Sequence, residues 1–200
     1  MGVRTTQLRR RPPPSVSNRT QGGRRARKSV CVLKRLPDGA SILIRPIRAD
    51  DKRMLEDGLR QLSDESVHRR FLTPKRGFSR TELRYLTEVD GRDHVALVAE
   101  DPRQPVRRMI AVGRFVRLHQ DPEAAEVAIV VADDWHRRGV GTALTEQLAA
   151  EARRLGILRF TATMAADNVP AHKLMHKLTS HLERHSSGGG VEELVLELAA

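Results

Sequence analysis

The spacing of apolar residues changes period several times along this chain. From Ala40 to Ile47, "ASILIRPI" alternates apolar and polar positions, the mark of a half-buried strand closed by Pro46. "RADDKRMLEDGLRQL" then sets Met54, Leu55, Leu59 and Leu62 at helical spacing, with Asp50 and Asp51 at its start, where acids suit the helix dipole. Ser63 is placed to cap a short helix carrying Val67, Phe71 and Leu72. Ser79, with Glu82 three residues on, makes a capping box for a third helix that turns Leu83 and Leu86 inward.

The next segments read with the period of strands. "HVALVAE", "RMIAVGRFVRL" and "AEVAIVVA" are rich in Val, Ile and Ala, and the short "HQDPEA" link makes the last two an antiparallel hairpin. Helical spacing returns in "VGTALTEQLAAEARRLG", where Val140, Leu144, Leu148, Ala152 and Leu155 form one face and Gly156 stands as the C′ glycine. "ILRFTATM" predicts a strand and "NVPAHKLMHKL" a helix, with Asn168 as N-cap and Pro170 in its first turn. Two strands around Gly188, Gly189 and Gly190 end the chain. The order β-α-α-α-β-β-β-α-β-α-β-β predicts a mixed α/β single domain over residues 39–200, with a tail over residues 1–38.

Composition changes the picture chiefly by locating the charge. The chain has 200 residues and a net charge of +11, but residues 1–30 hold nine of its 36 Lys and Arg and none of its 25 acids. The folded part is therefore nearly neutral, and the basic character belongs to the tail. With "RRRPPPS" and no apolar periodicity, that tail is expected to be disordered. It reads either as a solvated extension or as an arm for nucleic acid or an acidic partner. The Pro triplet argues against a transit peptide, and "MGVRTT" touches the myristoylation pattern only weakly. No apolar run reaches the ~20 residues a bilayer span requires, and no secretory h-region opens the chain. Together with Cys31 as the single cysteine, this favours a reducing, cytoplasmic setting without membrane contact.

The candidate chemistry lies between Ala125 and Leu144. The loop "WHRRGVGT" lacks the Lys-Ser/Thr of a phosphate-binding P-loop, and Leu144 stands where a dinucleotide fingerprint has its third glycine. Successive N–H groups from Arg137 to Thr142 at a helix N-terminus can still cradle an anion, for which a pyrophosphate is the natural occupant. A plain turn with solvated arginines is the alternative. One carboxylate, Glu126, interrupts the preceding apolar strand. An amine that attacks an acyl group must first lose a proton to a base within hydrogen-bond or one-water reach. A carboxylate on a central strand, desolvated by Val127 and Ile129, suits that task, and a strand-edge glutamate facing water is the competing reading.

The strand, the "R-x-G-x-G-T" loop and the long amphipathic helix resemble motif A of the GNAT acyl-CoA-dependent N-acyltransferases, and the likeness runs over residues 40–199. More narrowly, "RRF", "YLTEVD", "AEVAIVVAD" and "DNVP" resemble bacterial Pat-type protein lysine acetyltransferases. The resemblance implies a GNAT fold with a mixed, mostly antiparallel central sheet flanked by helices. It implies acetyl-CoA as co-substrate with no metal, and transfer of the acetyl group to a primary amine by direct attack, with a protein lysine as acceptor. Glu126 matches the family's general base. Arg137, Arg138, Gly139, Val140, Gly141 and Thr142 match its pyrophosphate loop, with His136 where the family has Gln or Arg. Ile129, Val130 and Val131 match the strand whose free N–H groups bind the pantetheine arm, and Asn168 falls in motif B. Such enzymes often carry a fused regulatory domain, for which this length leaves no room.

Two rival functions stay open: a small-amine or antibiotic N-acetyltransferase, and a non-catalytic acyl-CoA-sensing or nucleic-acid-associated module. The family's thiolate-protonating tyrosine falls near Met175, whereas the single tyrosine of the chain is Tyr85. That leaves an unaided thiolate, His176 or a water. His94 reads as structural rather than as a wall of the acceptor channel. The pairs His172/His176 and His181/His185 have zinc-like spacing but no acid or Cys at ligand spacing.

Overall fold

At the centre of an eight-stranded sheet, the segments His94–Glu100 and Met109–Arg117 are apolar enough to be covered on both faces, while cover falls away toward the edges. The protein is described here by a computed structural model covering residues 31–179 and 181–198. The basic segment 1–30, and with it the expected arm for nucleic acid or an acidic partner, lies outside the described residues. The strands are β1 (Val32–Arg35), β2 (Ser41–Pro46), β3 (His94–Glu100), β4 (Met109–Arg117), β5 (Ala124–Val131), β6 (Arg159–Ala165), β7 (Leu182–Gly188) and β8 (Val191–Glu197). The helices are α1 (Lys52–Arg60), α2 (Asp64–Phe71), α3 (Arg80–Thr87), α4 (Val140–Arg154) and α5 (Val169–His176).

The spatial order of strands is β1-β2-β3-β4-β5-β6-β8-β7. All neighbours run antiparallel except β5 and β6, the two strands joined through α4. This is the mixed, mostly antiparallel sheet flanked by helices that the sequence predicts. One strand was not anticipated: β1 pairs with β2 from Val32↔Ile44 to Arg35↔Ser41, so the division expected at residue 39 falls in the β1–β2 turn. Its four residues are only alternately covered, an edge pattern too short to stand out beside the basic segment.

The sheet separates two apolar layers. The larger contains Phe115, Phe160, Leu144, Leu148, Leu194 and Leu196 and lies under α4 and α5. The smaller contains Leu55, Leu83, Ala96, Val98 and Val112 and lies under α1 and α3. Ser79 and Glu82 form the expected capping box of α3, and Gly156 follows α4 with φ +79°.

The turn into α1 departs from expectation. Asp51, read as an acid serving the helix dipole, is 1 % exposed. It accepts two hydrogen bonds from the buried Arg45 guanidinium, at 2.7 and 2.8 Å. Arg45 also donates to Glu100, which Arg107 reaches from outside at 2.9 Å. Burial alone would raise the Asp51 carboxyl, but hydrogen bonds from Arg45 and the Arg48 N–H hold it below the ordinary carboxylate range. Sequence spacing could not supply Glu100, 55 residues away from Arg45.

Candidate active site

β5 and β6 pair only over Ala124↔Arg159, Ala125↔Phe160 and Glu126↔Thr161. Beyond that point β6 pairs on its other side with β8 as far as Ala165, and β5 pairs on its other side with β4 as far as Val131. A gap thus opens inside the sheet, and Glu126 is the last β5 residue to pair across it. The N–H of Ala132 donates to the Ile110 carbonyl of β4. Antiparallel alternation then turns the Val130 N–H toward β4 and those of Ile129 and Val131 into the gap. Of the three residues expected to offer free amides, Ile129 and Val131 turn theirs toward the gap, while Val130 turns its own to the ladder with β4.

The expected desolvation of Glu126 needs correction. Val127 and Ile129 point into the larger core on one face, and Ala128 and Val130 line a cavity on the other. By the same alternation Glu126 shares the face of Ala128 and Val130, and it is exposed. Val127 and Ile129 therefore cannot desolvate it. Arg70 of α2 lies within electrostatic reach.

The loop from Asp133 to Gly139 closes the other end of the gap. Arg137 has φ +59° and Gly139 φ +91°, so the chain passes twice through left-handed conformations before α4 begins. At Gly139 a side chain is disfavoured twice over, since a Cβ would also stand a tight 3.0 Å from Pro37 Cδ. At Gly141 a Cβ would meet Leu174 and Val131 only at ordinary contact distances of 3.6 and 3.7 Å. No side chain caps α4, whose first turn contains no acid. The N–H groups of Val140, Gly141 and Thr142 thus head a 15-residue helix without internal partners, an arrangement that favours an anion.

Several contacts hold this loop still, and sequence reading found none of them. Asp133 accepts from the Ser63 N–H at 2.6 Å and from the hydroxyls of Ser63 and Ser66, tying the loop to the start of α2. Burial would raise its carboxyl, but these hydrogen bonds hold it below the ordinary range. Asp134 takes both arms of Arg108, at 2.7 and 3.0 Å. Arg138 bonds Asp38 of the β1–β2 turn at 2.6 Å and stacks over the buried Trp135, 4.0 Å from its centroid. His136 places Nε2 2.9 Å from the Val131 carbonyl. Arg137 is exposed. Asp-Asp-Trp ahead of the glycines was the visible signal, but its partners lie up to 70 residues away.

Asn168 caps α5, its side-chain oxygen accepting from the Ala171 N–H at 3.2 Å. Met175 is buried in the larger core. His176 is exposed, with Nε2 3.1 Å from Arg184, and His172 meets Glu192. Among the described residues, no group of three or more His, Cys, Asp or Glu is arranged to hold a metal, and no helix is long and apolar enough to cross a membrane. His94 is buried, with Nε2 3.2 Å from Arg114 and its ring 4.8 Å from that of Tyr85. Burial, and then the Arg114 charge, push its pKa down to about 4.

A sheet opened between its two parallel strands, with an uncapped helix N-terminus at the mouth and a carboxylate at the apex, can be compared with known proteins. Residues 61–179 match the model of the acetyltransferase (GNAT) family. Acetyltransferase Pat of Mycolicibacterium smegmatis is 35% identical over 151 residues, covering 75% of this chain and 44% of that protein. The chain thus spans less than half the length of that relative. Acetyltransferase PA5475 of Pseudomonas aeruginosa is 28% identical over 136 residues, covering 68% of this chain and 73% of that protein. The crystal structure of the GNAT domain of S. lividans PAT superposes with a TM-score of 0.75 at 32% identity, covering 84% of this chain and 97% of that one. The chain belongs to the GNAT acetyltransferase family.

Proposed function

We propose that this acetyltransferase moves an acetyl group from acetyl-CoA to the side-chain amine of a protein lysine, with Glu126 as general base. The observation that carries this reading is the position of Glu126 where β6 leaves β5. A donor lying in the gap would bring its thioester to the one carboxylate of the strand. The residues fit such a donor. The free N–H groups at the start of α4, with Arg137 beside them, suit its pyrophosphate. Gly141 leaves space, and Arg138 stiffens the loop through Asp38 and Trp135. Asn168 holds the α5 end of the gap.

When bound, the thioester supplies the activated acetyl group. Glu126 takes the proton of the attacking ammonium, whose ordinary pKa of ~10.4 leaves it unreactive near neutrality. The N–H groups of Ile129 and Val131 are donors for an oxyanion. Met175, buried in the core, offers no acid for the departing thiolate, and a thiol pKa of about 8.5 allows it to leave unaided. The lysine acceptor rests on likeness to Pat, and the nearly neutral domain suits a cytoplasmic protein partner.

Incubating the protein with acetyl-CoA and a proteome extract, followed by mass spectrometry of acetyl-lysine, tests the reading. Glu126→Gln lowers kcat by about 10²–10⁴-fold and leaves CoA binding intact. Wild-type turnover in that variant across the pH range would remove the base from the mechanism.

A further inference from the structure

On the α1–α3 side of the gap lies a cavity of about 60 Å³, apolar over most of its wall but bordered by two guanidinium groups, Arg70 and Arg114. Arg114 is 6 % exposed and stands in β4 opposite Ala128, one step along the face from Val116, the partner of Glu126. It is therefore a diagonal neighbour of the proposed base, at the ~7–8 Å such positions have and within reach of a long side chain. Arg70 arrives on α2, which lies over β5 and β6, and it is half-buried.

Their partners are unlike those of the arginines that tie the fold and the loop together. Arg45, Arg107, Arg108 and Arg138 each pair directly with a carboxylate. Among the described residues, no carboxylate lies within ion-pair distance of Arg70 or Arg114. Arg114 donates to the Leu86 carbonyl at 3.2 Å and meets His94 Nε2 at 3.2 Å, both neutral groups when His94 is unprotonated. Arg70 lies 5.0 Å from the Phe71 ring centroid. Asp90 comes close to His94, but its Oδ1 is taken up by the N–H groups of Arg92, Asp93 and His94. Burial lowers the pKa of both arginines, and the Arg70 charge lowers that of Arg114 further, to about 10. Two cations thus border one largely apolar cavity that no carboxylate lines among the described residues, and the exposed Glu126 acts on Arg70 only from outside it. A buried charge without a counterion is costly, and a carboxylate entering the pocket would balance it.

We infer that Arg70 and Arg114 form a carboxylate subsite beside Glu126, filled by an Asp or Glu side chain that flanks the acceptor lysine. This rests on the lysine-acceptor reading and deepens it. A flanking acid would neutralise the guanidinium pair, offset its repulsion of the incoming ammonium, and hold the lysine at the base. A lysine among other basic residues would meet like charge there, which selects against polycationic acceptors.

Calorimetric titration tests the subsite without turnover, using the full chain saturated with coenzyme A, which carries no acyl group. Two Ala-rich peptides are compared, each with one lysine flanked on both sides by Glu or by Gln. The Glu peptide is expected to bind the wild type at least 10-fold more tightly. In Arg70→Gln that ratio falls to about one, and in Arg70→Lys, which keeps the charge but loses the planar fork, part of it returns. Equal binding of the two peptides to the wild type, including no binding of either, overturns the subsite. So does a preference that survives Arg70→Gln. Failure of the lysine reading shows elsewhere, as absence of acetyl-lysine in both peptides when acetyl-CoA replaces coenzyme A.

Discussion

His94 illustrates how far one side chain depends on neighbours that the sequence does not place beside it. It follows "VDGRD" and opens a strand, and only the sheet register sets Arg114 against its ring. A histidine held near pKa 4 when folded, against an ordinary 6.5, stays neutral while the unfolded chain takes up a proton. Between those values the unfolded state binds more protons, so stability falls as pH falls. The shift corresponds to at most about 2–3 kcal/mol of stability lost between pH 6.5 and 4, less the part that solvent screens. In His94→Gln, urea unfolding followed across that window should show the fall shrink by a comparable amount. Residue-scale legibility was uneven for a physical reason. Glu126 stood out because a carboxylate interrupts an apolar strand, and the glycines because their spacing is local. Arg70 and Arg114 did not, since their meaning depends on α2 and β4 facing the same pocket. The environment of Glu126 was misjudged for a related cause: adjacent residues in a strand point to opposite faces, so Val127 cannot shield it.

At the scale of elements, α4 must lie close on the sheet if its N-terminus is to stand at the mouth of the gap. Gly113 makes that approach possible. It faces Ile129 across the β4–β5 ladder, and a Cβ there would lie 2.6 Å from Leu148 Cδ1 and 3.2 Å from Leu144 Cδ2. Gly113→Ala should therefore destabilise the fold by about 1–3 kcal/mol, the ordinary cost of overpacking. It should also weaken CoA binding, because the buried Leu144 and Leu148 side chains have little room to rotate away and part of the clash passes to α4. Thermal unfolding reads the first effect and calorimetric titration with CoA the second. The helices and central strands were legible because their apolar spacing extends over several turns or pleats and their caps are local. β1 was not, because an edge strand of four residues with alternate cover offers no periodicity of its own. The ties from Asp133 to Ser63 and from Arg138 to Asp38 join elements distant in sequence and leave no local mark.

For the molecule as a whole, topology explains why a gap exists at all. Among the described residues seven strand pairings build the sheet, and only β5–β6 is parallel. A parallel pair needs a crossover, here α4, and beyond Glu126 the two strands continue in the sheet by pairing with different neighbours. The order of elements predicted from sequence contains this crossover, but the residue at which pairing stops depends on how the strands twist. The seam also divides the backbone amides of a single strand into two populations. By antiparallel alternation the amides of Ile129 and Val131 face the gap, while that of Val130, between them, is held by β4. Hydrogen exchange followed residue by residue should show this alternation in the free protein: fast, slow, fast at 129, 130 and 131. With coenzyme A bound, the two outer amides should slow and the middle one should not change. The strand thus contains its own occupancy gauge, with the reference amide seated between the two reporters.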